Sequence, residues 1–285
     1  MKTRGRFTFA ALSSAFIMAA LSGVAPARAG GQPSPTPMNM PGMQMQATPP
    51  PGVSASEMQQ IQQIISDSTH ASPETSTQWS EFNHHVSGLF VFLWGLTAFV
   101  AGWMWPKRTW FRFVPPLMML GLAEFLFFRN DPKAWPAGPI GFWISWQDPE
   151  TAQHRIFVLL ILAIVLIELL RAGDRLSPLM YKFALPLVVL VASVLLLFHQ
   201  HGGVAMQQTM QHVSTNAPLT PADESMLASM SLIKSEHLVF ALFGFGFGAS
   251  KLIADLGVLK GRLGATLWPL FAIGLGLYMY FFYTE

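Results

Sequence analysis

Residues 179–198, LMYKFALPLVVLVASVLLLF, form a largely apolar run with a single charged side chain, Lys182. A helix of about 20 residues is about 30 Å long, which matches the hydrocarbon core of a bilayer. The same pattern recurs along the chain, and the six predicted spans are 86–105, 110–128, 156–170, 179–198, 238–256 and 263–283. The sequence therefore predicts an all-α polytopic membrane protein built as a six-helix bundle.

The composition agrees with a membrane protein. Charged residues make up 11% of the 285 residues and hydrophobic residues 52%, whereas soluble domains carry about 25% charged residues. The formal charge of +2 is too small to indicate a nucleic-acid partner. Cysteine is absent, which excludes disulfides, thiolate metal sites, iron–sulfur clusters and covalently attached haem. The 16 methionines and eight histidines remain as candidate metal ligands.

The beginning of the chain has the pattern of an exported protein. A basic start, an apolar stretch at 7–21 and a small-x-small site at 27–29 predict a signal peptide over residues 1–29, with an uncleaved anchor as the alternative. Residues 30–80 are rich in Pro, Gln, Ser and Met, with seven prolines between Pro33 and Pro51. Such a segment cannot build a core. We expect a disordered exported arm, followed by the membrane domain at 81–285.

The distribution of Lys and Arg predicts the orientation in the membrane. Neither residue occurs between Arg28 and Lys107, so the arm lies on the exported side. Nine Lys and Arg residues fall in the loops that then face the cytoplasm, and four fall on the other side. We expect a multi-pass protein of the bacterial inner membrane, surrounded by lipid, with both termini periplasmic.

Several helix ends can be predicted from capping residues. Asp148-Pro149-Glu150 supplies a cap, a proline at the first helical position and an acid in the first turn. Thr220-Pro221 with Asp223 and Glu224 does the same for a helix predicted over 221–256. At the fourth span, Gly202-Gly203 is predicted to end the helix.

All eight histidines fall on the exported side of this topology. Four of the six helix ends there carry a histidine within a turn of the boundary, namely His84 and His85, His154, His199 with His201, and His237. In one bundle these ends converge at one depth, and imidazole is the commonest metal ligand. The sequence therefore predicts a shared metal site, and the alternative is that these histidines are separate interfacial anchors.

Methionines and one acid extend the candidate site. Met226, Met230 and His237 fall on one stripe of the fifth helix, and Glu124 lies near the exported end of the second span. The exported arm adds four thioethers within eight residues, Met38, Met40, Met43 and Met45. Thioether and imidazole ligands together suit copper, because soft sulfur takes Cu(I) and imidazole takes either oxidation state.

The motifs around the histidines resemble bacterial polytopic membrane proteins associated with copper resistance, the CopD group. The resemblance covers about Glu81 to Tyr283. It rests on Glu81-Phe82-Asn83-His84-His85, Asp131-Pro132-Lys133-Ala134-Trp135-Pro136, Asp148-Pro149-Glu150, Gln153-His154, Leu197-Phe198-His199-Gln200-His201 and Glu236-His237. What it implies is an association with copper rather than a mechanism.

From these observations we expect a copper-binding inner-membrane protein of copper homeostasis or resistance. The histidines at the periplasmic helix ends would form the site, and the Met-rich arm would capture copper or exchange it with a periplasmic copper-carrier protein. Two alternatives stay open: a b-type cytochrome with two axial histidines on haem, and a metal-free scaffold or assembly subunit. No nucleophile–base constellation or phosphate cradle is visible, so an enzyme is not expected.

Overall fold

The computed structural model describes residues 73–105, 108–199, 203–215 and 218–284. The predicted signal peptide and the arm up to residue 72 lie outside this part of the chain. The described residues are helical and contain no β-strand. The α-helices are α1 Pro73–Trp103, α2 Val114–Arg129, α3 Pro149–Ala172, α4 Pro178–Leu196, α5 Gly203–Ser214, α6 Pro221–Asp255 and α7 Gly261–Phe281, with 3₁₀ turns at Thr109–Phe113 and Ile144–Gln147.

Both predicted capping sites are confirmed. The Asp148 carboxylate accepts a hydrogen bond from the Thr151 backbone N–H at 2.7 Å, and α3 begins at Pro149. Thr220 and Asp223 form a reciprocal capping box in which the Asp223 N–H donates to Thr220 Oγ1 and the Thr220 N–H donates to Asp223 Oδ2. These bonds satisfy backbone donors that the first turn of a helix leaves without partners. The long helix α6 therefore begins at Pro221, as predicted.

The predicted end of the fourth span is wrong. Helix α4 ends at Leu196, before His199, and Gly203 begins α5 instead of ending α4. Helix α5 itself was expected to be a loop. His199 therefore lies in the connection between two helices, where its side chain is not restricted to a helical face.

Among the described residues, five helices are long and apolar enough to cross a membrane. They are Thr77–Trp103, Thr109–Arg129, Pro178–Leu196, Pro221–Asp255 and Gly261–Phe281, which makes the chain a multi-pass membrane protein. Helix α3 holds the predicted third span and is 24 residues long, but it is not among the five. It carries four charged residues, two near each end: Glu150, Arg155, Glu168 and Arg171. The six-span count is therefore not confirmed.

The six long helices pack as a closed ring in which each has two main neighbours. Helix α1 lies between α7 and α2, α3 lies between α2 and α4, and α6 lies between α4 and α7. The shorter helix α5 contacts α6. Buried apolar side chains of all six long helices fill the interior, among them Val91, Trp94, Leu122, Ile164, Leu185, Phe247 and Ala272.

The contact between α1 and α7 is a backbone contact through glycine. A Cβ atom on Gly276 would lie 2.3 Å from the Phe92 backbone nitrogen and 2.6 Å from the Gly88 carbonyl oxygen. Gly95 makes a similar approach one heptad further along α1, where a Cβ would lie 2.7 Å from the Ile273 nitrogen. Small residues allow helix backbones to approach closely, and this is a main source of helix association in lipid.

Charged side chains pack together at the end of the ring opposite the histidines. Both carboxylate oxygens of Asp255 accept from Arg171 Nη2 at 2.9 Å, and Lys251 Nζ donates to the same carboxylate. Nearby on α3, Glu168 accepts a hydrogen bond from the Trp94 indole at 2.9 Å. The side chains of Arg171, Asp255 and Lys251 are at most 10% exposed, so the two cations depend on Asp255 for compensation.

Replacing Gly276 with Leu should destabilise the protein, because the added side chain meets backbone atoms of α1 that cannot rotate away. Overpacking costs about 1–3 kcal/mol at ordinary core positions, and a larger loss is expected here. Thermal unfolding of the purified protein in detergent measures the effect. Ala249→Leu adds the same bulk at an exposed position of α6 and should leave the unfolding midpoint unchanged. Equal midpoints for both variants would contradict the close α1–α7 contact.

Asp255→Asn should lower the stability more than a surface change does. The substitution keeps the shape but removes the carboxylate to which Arg171 and Lys251 are both hydrogen-bonded. Breaking a buried ion pair by removing one partner costs about 3–5 kcal/mol. Denaturation in detergent measures the stability of Asp255→Asn. The control is Asp174→Asn, which removes a carboxylate from an exposed turn. If the two variants unfold alike, the Asp255 carboxylate is not the partner on which the buried cations depend.

Candidate functional site

Four histidine rings from different parts of the ring of helices lie in successive contact. The centroids of the His154 and His199 rings are 4.9 Å apart, and those of His199 and His237 are 4.7 Å apart. His84 continues the line, with its ring centroid 5.9 Å from that of His237. We call these four residues the histidine cluster. His84 comes from α1, His154 from α3, His199 from the connection after α4, and His237 from α6.

His84 and His237 are held by their own helices. His84 Nδ1 lies 2.9 Å from the Ser80 carbonyl oxygen, and His237 Nδ1 lies 2.8 Å from the Ile233 carbonyl oxygen, in each case four residues earlier. A carbonyl oxygen can only accept, so the proton of each neutral ring is on Nδ1. The lone pair of each ring is therefore on Nε2.

His199 is held by a different helix. Its Nδ1 lies 2.6 Å from Gln153 Oε1 of α3, and Gln153 Nε2 donates to the Phe198 carbonyl oxygen at 3.1 Å. Because the amide nitrogen faces that carbonyl, the amide oxygen faces the ring and accepts from Nδ1. His199 therefore has the same tautomer as His84 and His237, with its lone pair on Nε2.

Aromatic side chains cover the cluster. The Tyr283 ring is stacked on His84 with centroids 3.9 Å apart, and Phe240 lies 5.3 Å from the His237 ring. On the other side, Phe157 packs edge-on against His199. His237 is 2% exposed and His199 is 8% exposed, so both rings are shielded from solvent. Shielding of this kind strengthens electrostatic and coordinate interactions with a bound group.

The structure does not bring every predicted site residue to the cluster. His85 follows His84 in α1 but interacts through Nε2 with the Tyr283 carbonyl oxygen at 3.1 Å. Glu124 is exposed on α2, unlike the shielded rings. Met226 and Met230 are half-buried in the first turns of α6, before the level of His237. His201 and the arm methionines Met38, Met40, Met43 and Met45 lie outside the described residues.

The hairpin formed by α5 and the beginning of α6 is tied together by Asp223. Its Oδ1 accepts from Thr209 Oγ1 at 2.9 Å, and its Oδ2 lies 3.0 Å from His212 Nδ1. Thr220 donates to the same carboxylate. His212 thus interacts with Asp223 and not with the cluster, which makes it a suitable control position.

The cluster is a line of contacts rather than a preformed coordination shell. Within the described residues, no group of three or more His, Asp or Glu side chains is arranged to hold a metal ion. The arrangement nevertheless brings imidazole rings from four segments together in a shielded environment. Such groups can bind a metal ion or accept a proton.

No family model, curated protein or solved structure matches this chain. What the site can do therefore follows from its own chemistry.

Two residues of this site were not predicted from the sequence. Gln153 orients His199, and Tyr283 covers His84. A signal for Gln153 was present, since a polar amide precedes His154 at the start of an apolar helix. Tyr283 gave no such signal, because an aromatic residue at the end of a span is usual at a membrane interface.

The tautomers of the cluster can be measured directly. In metal-free protein labelled with ¹⁵N-histidine, His84, His199 and His237 should each show a protonated Nδ1 and an unprotonated Nε2 above the pH at which imidazolium forms. Single His→Gln variants assign the signals by their loss, and His212→Gln should leave the three signals in place. Protonation on Nε2 in these rings would contradict the hydrogen bonds described above.

Proposed function

We propose that this protein binds a copper ion at the histidine cluster and serves in copper homeostasis or resistance. The observation that carries the proposal is the placement of His199 between His154 and His237, at 4.9 and 4.7 Å. Two imidazoles that share one ion at a tetrahedral angle have ring centroids about 5 Å apart, because each metal–nitrogen bond is about 2 Å long. Both contacts of His199 agree with this spacing.

The hydrogen bonds on the far side of the rings support the same proposal. Histidines that ligate metals usually donate their second N–H to a carbonyl or carboxylate oxygen, which fixes the tautomer and raises the basicity of the ligating nitrogen. His84, His199 and His237 each make such a bond through Nδ1.

The choice of copper follows from the ligands that the chain supplies. Cysteine is absent, so any transition metal here must be held by imidazole, thioether or carboxylate. Met226 and Met230 lie on the same helix as His237, and the exported arm adds Met38, Met40, Met43 and Met45. Thioether sulfur selects Cu(I) over zinc or iron, and imidazole accepts both oxidation states of copper. The arm would capture copper and exchange it with a periplasmic carrier protein.

The proposal includes a location in the bacterial inner membrane with six spans. Helix α3 would be the sixth span, because it stands in the ring between α2 and α4 and its 24 residues are long enough, at about 36 Å, to cross the bilayer. With a cleaved signal at residues 1–29 and both termini periplasmic, the histidine cluster lies on the exported side. On that side the histidine cluster would bind copper before the ion reaches the cytoplasm.

The spacing of the rings around His199 favours a single ion over haem. Two axial imidazoles on one haem iron have centroids about 6 Å apart, since metal–nitrogen bonds are about 2 Å on each side. The contacts of His199 with His154 and His237 are shorter than that, whereas His84 and His237, at 5.9 Å, are the pair whose spacing suits haem. The experiment must therefore distinguish a copper-binding protein from a haem-binding cytochrome and from a metal-free scaffold.

The full-length protein, purified in detergent and exchanged against buffered copper, should retain copper in stoichiometric amount. The double variant His199→Gln, His237→Gln should lose it, because the central pair of rings is removed. His212→Gln is the matched control and should bind copper like the unmodified chain. Elemental analysis and a visible spectrum are recorded on each sample, and a chain with Met38, Met40, Met43 and Met45 replaced by Leu removes the contribution of the arm.

Each contrary result has a distinct meaning. A Soret band in the purified protein identifies a cytochrome and overturns the proposal. The absence of both copper and haem identifies a scaffold or assembly subunit and also overturns it. Copper retained in full by the His199 and His237 double variant with the arm methionines replaced would show that the ion is bound elsewhere.

A further inference from the structure

His199 differs from the other rings of the cluster in how its position is determined. His84 and His237 lie within α1 and α6, and each ring is hydrogen-bonded to a carbonyl of its own helix. His199 follows the end of α4 at Leu196, in a segment without helical structure. Its Nδ1 instead donates to the side-chain oxygen of Gln153 on α3. The orientation of the central ring therefore depends on a residue of another helix.

The amide of Gln153 is itself fixed at both ends. Its Nε2 donates to the Phe198 carbonyl at 3.1 Å, and its Oε1 accepts from His199 Nδ1 at 2.6 Å. One side chain of α3 thus holds the backbone just before His199 and the ring of His199 together. Rotation of the amide by 180° would place oxygen against oxygen at Phe198 and would lose both bonds.

Gln153 also sets the relation between His199 and His154. Gln153 and His154 are adjacent in α3. One turn of this helix therefore supplies the His154 ring and also the side chain that orients His199. The His154 and His199 centroids lie 4.9 Å apart as a result of this docking. A displacement of the Gln153 side chain would release His199 from α3 while leaving His84 and His237 in place.

We propose that Gln153 is a positioning residue for copper, which acts by holding the His199 ring beside α3 in the tautomer protonated on Nδ1, so that Nε2 is its ligating atom. This inference rests on the proposed function. Gln153 does not bind the ion itself; it fixes the tautomer and the orientation of the central ligand. Groups that orient metal-ligating histidines in this way typically change metal affinity about 10–100-fold when they are removed.

Two variants of the full-length protein test the proposal. Gln153→Leu removes the acceptor and should weaken copper binding about 10–100-fold, measured by competition with a chelator of known affinity. Gln153→Glu keeps the oxygen that accepts from Nδ1 but loses the hydrogen bond to the Phe198 carbonyl, so its affinity should lie between those of Gln153→Leu and the unmodified chain. Gln211→Leu changes an exposed glutamine of α5 and serves as the control.

A spectroscopic signature separates positioning from a general effect on folding. In Gln153→Leu, ¹⁵N-histidine spectra of the metal-free protein should show a loss of the Nδ1-protonated form of His199, while the His84 and His237 signals stay unchanged. The Cu(II) electron paramagnetic resonance spectrum should change in Gln153→Leu and remain close to the original in Gln153→Glu. Equal losses in both variants with unchanged His199 signals would identify a merely structural role and overturn the inference.

The failure of this inference can be distinguished from the failure of the proposed function. If the unmodified chain binds copper and Gln153→Leu binds it equally well, the positioning role is overturned and copper binding stands. If the unmodified chain binds no copper, the proposed function fails, and the inference fails with it.

Discussion

The close approach of α1 and α7 is the contact on which the arrangement of the site depends. Gly88 and Gly276 allow the two backbones to meet, and this closes the ring of six helices. His84 lies one turn before Gly88 on α1, and Tyr283 lies seven residues after Gly276, just beyond the end of the antiparallel helix α7 at Phe281. The same contact therefore fixes the register that stacks Tyr283 on His84 and brings His84 to His237. A side chain at Gly276 would disturb the packing and the site together.

The two ends of the ring have different chemistry. At one end, neutral rings present lone pairs whose direction is set by carbonyl and amide oxygens. At the other end, Arg171 and Lys251 share the Asp255 carboxylate. Between them, the described core is formed by side chains such as Val91, Leu185 and Phe247. This apolar interior offers no succession of ligands from one end to the other within the described residues. It supports metal binding, rather than transport across the membrane, as the proposed role.

Local chemistry made part of this structure predictable. Caps at Asp148 and Thr220 depend on residues within one turn, and both were located correctly. His84 and His85 are consecutive in α1 and so lie about 100° apart around its axis, and only His84 contacts another histidine of the cluster. The end of α4 was predicted wrongly, because Gly202-Gly203 has the pattern of a helix end although the helix already stops at Leu196. A pair of glycines in the sequence does not reveal that the helix ends several residues earlier, where Phe198 and His199 form hydrogen bonds with Gln153 of α3.

The rest of the site depends on tertiary packing, which a sequence pattern does not contain. Glu124 was predicted to join the site but is exposed on α2, and its exposure depends on how α2 is rotated about its axis. Gln153 acquires its role only when α3 docks beside the segment after α4.

The central claim, copper held by the imidazoles of the cluster, is tested most directly by X-ray absorption at the copper edge. The account predicts nitrogen ligands at about 2.0 Å with imidazole scattering, lost when His199 and His237 are replaced. Sulfur ligands alone, or imidazole scattering that survives those replacements, would contradict it.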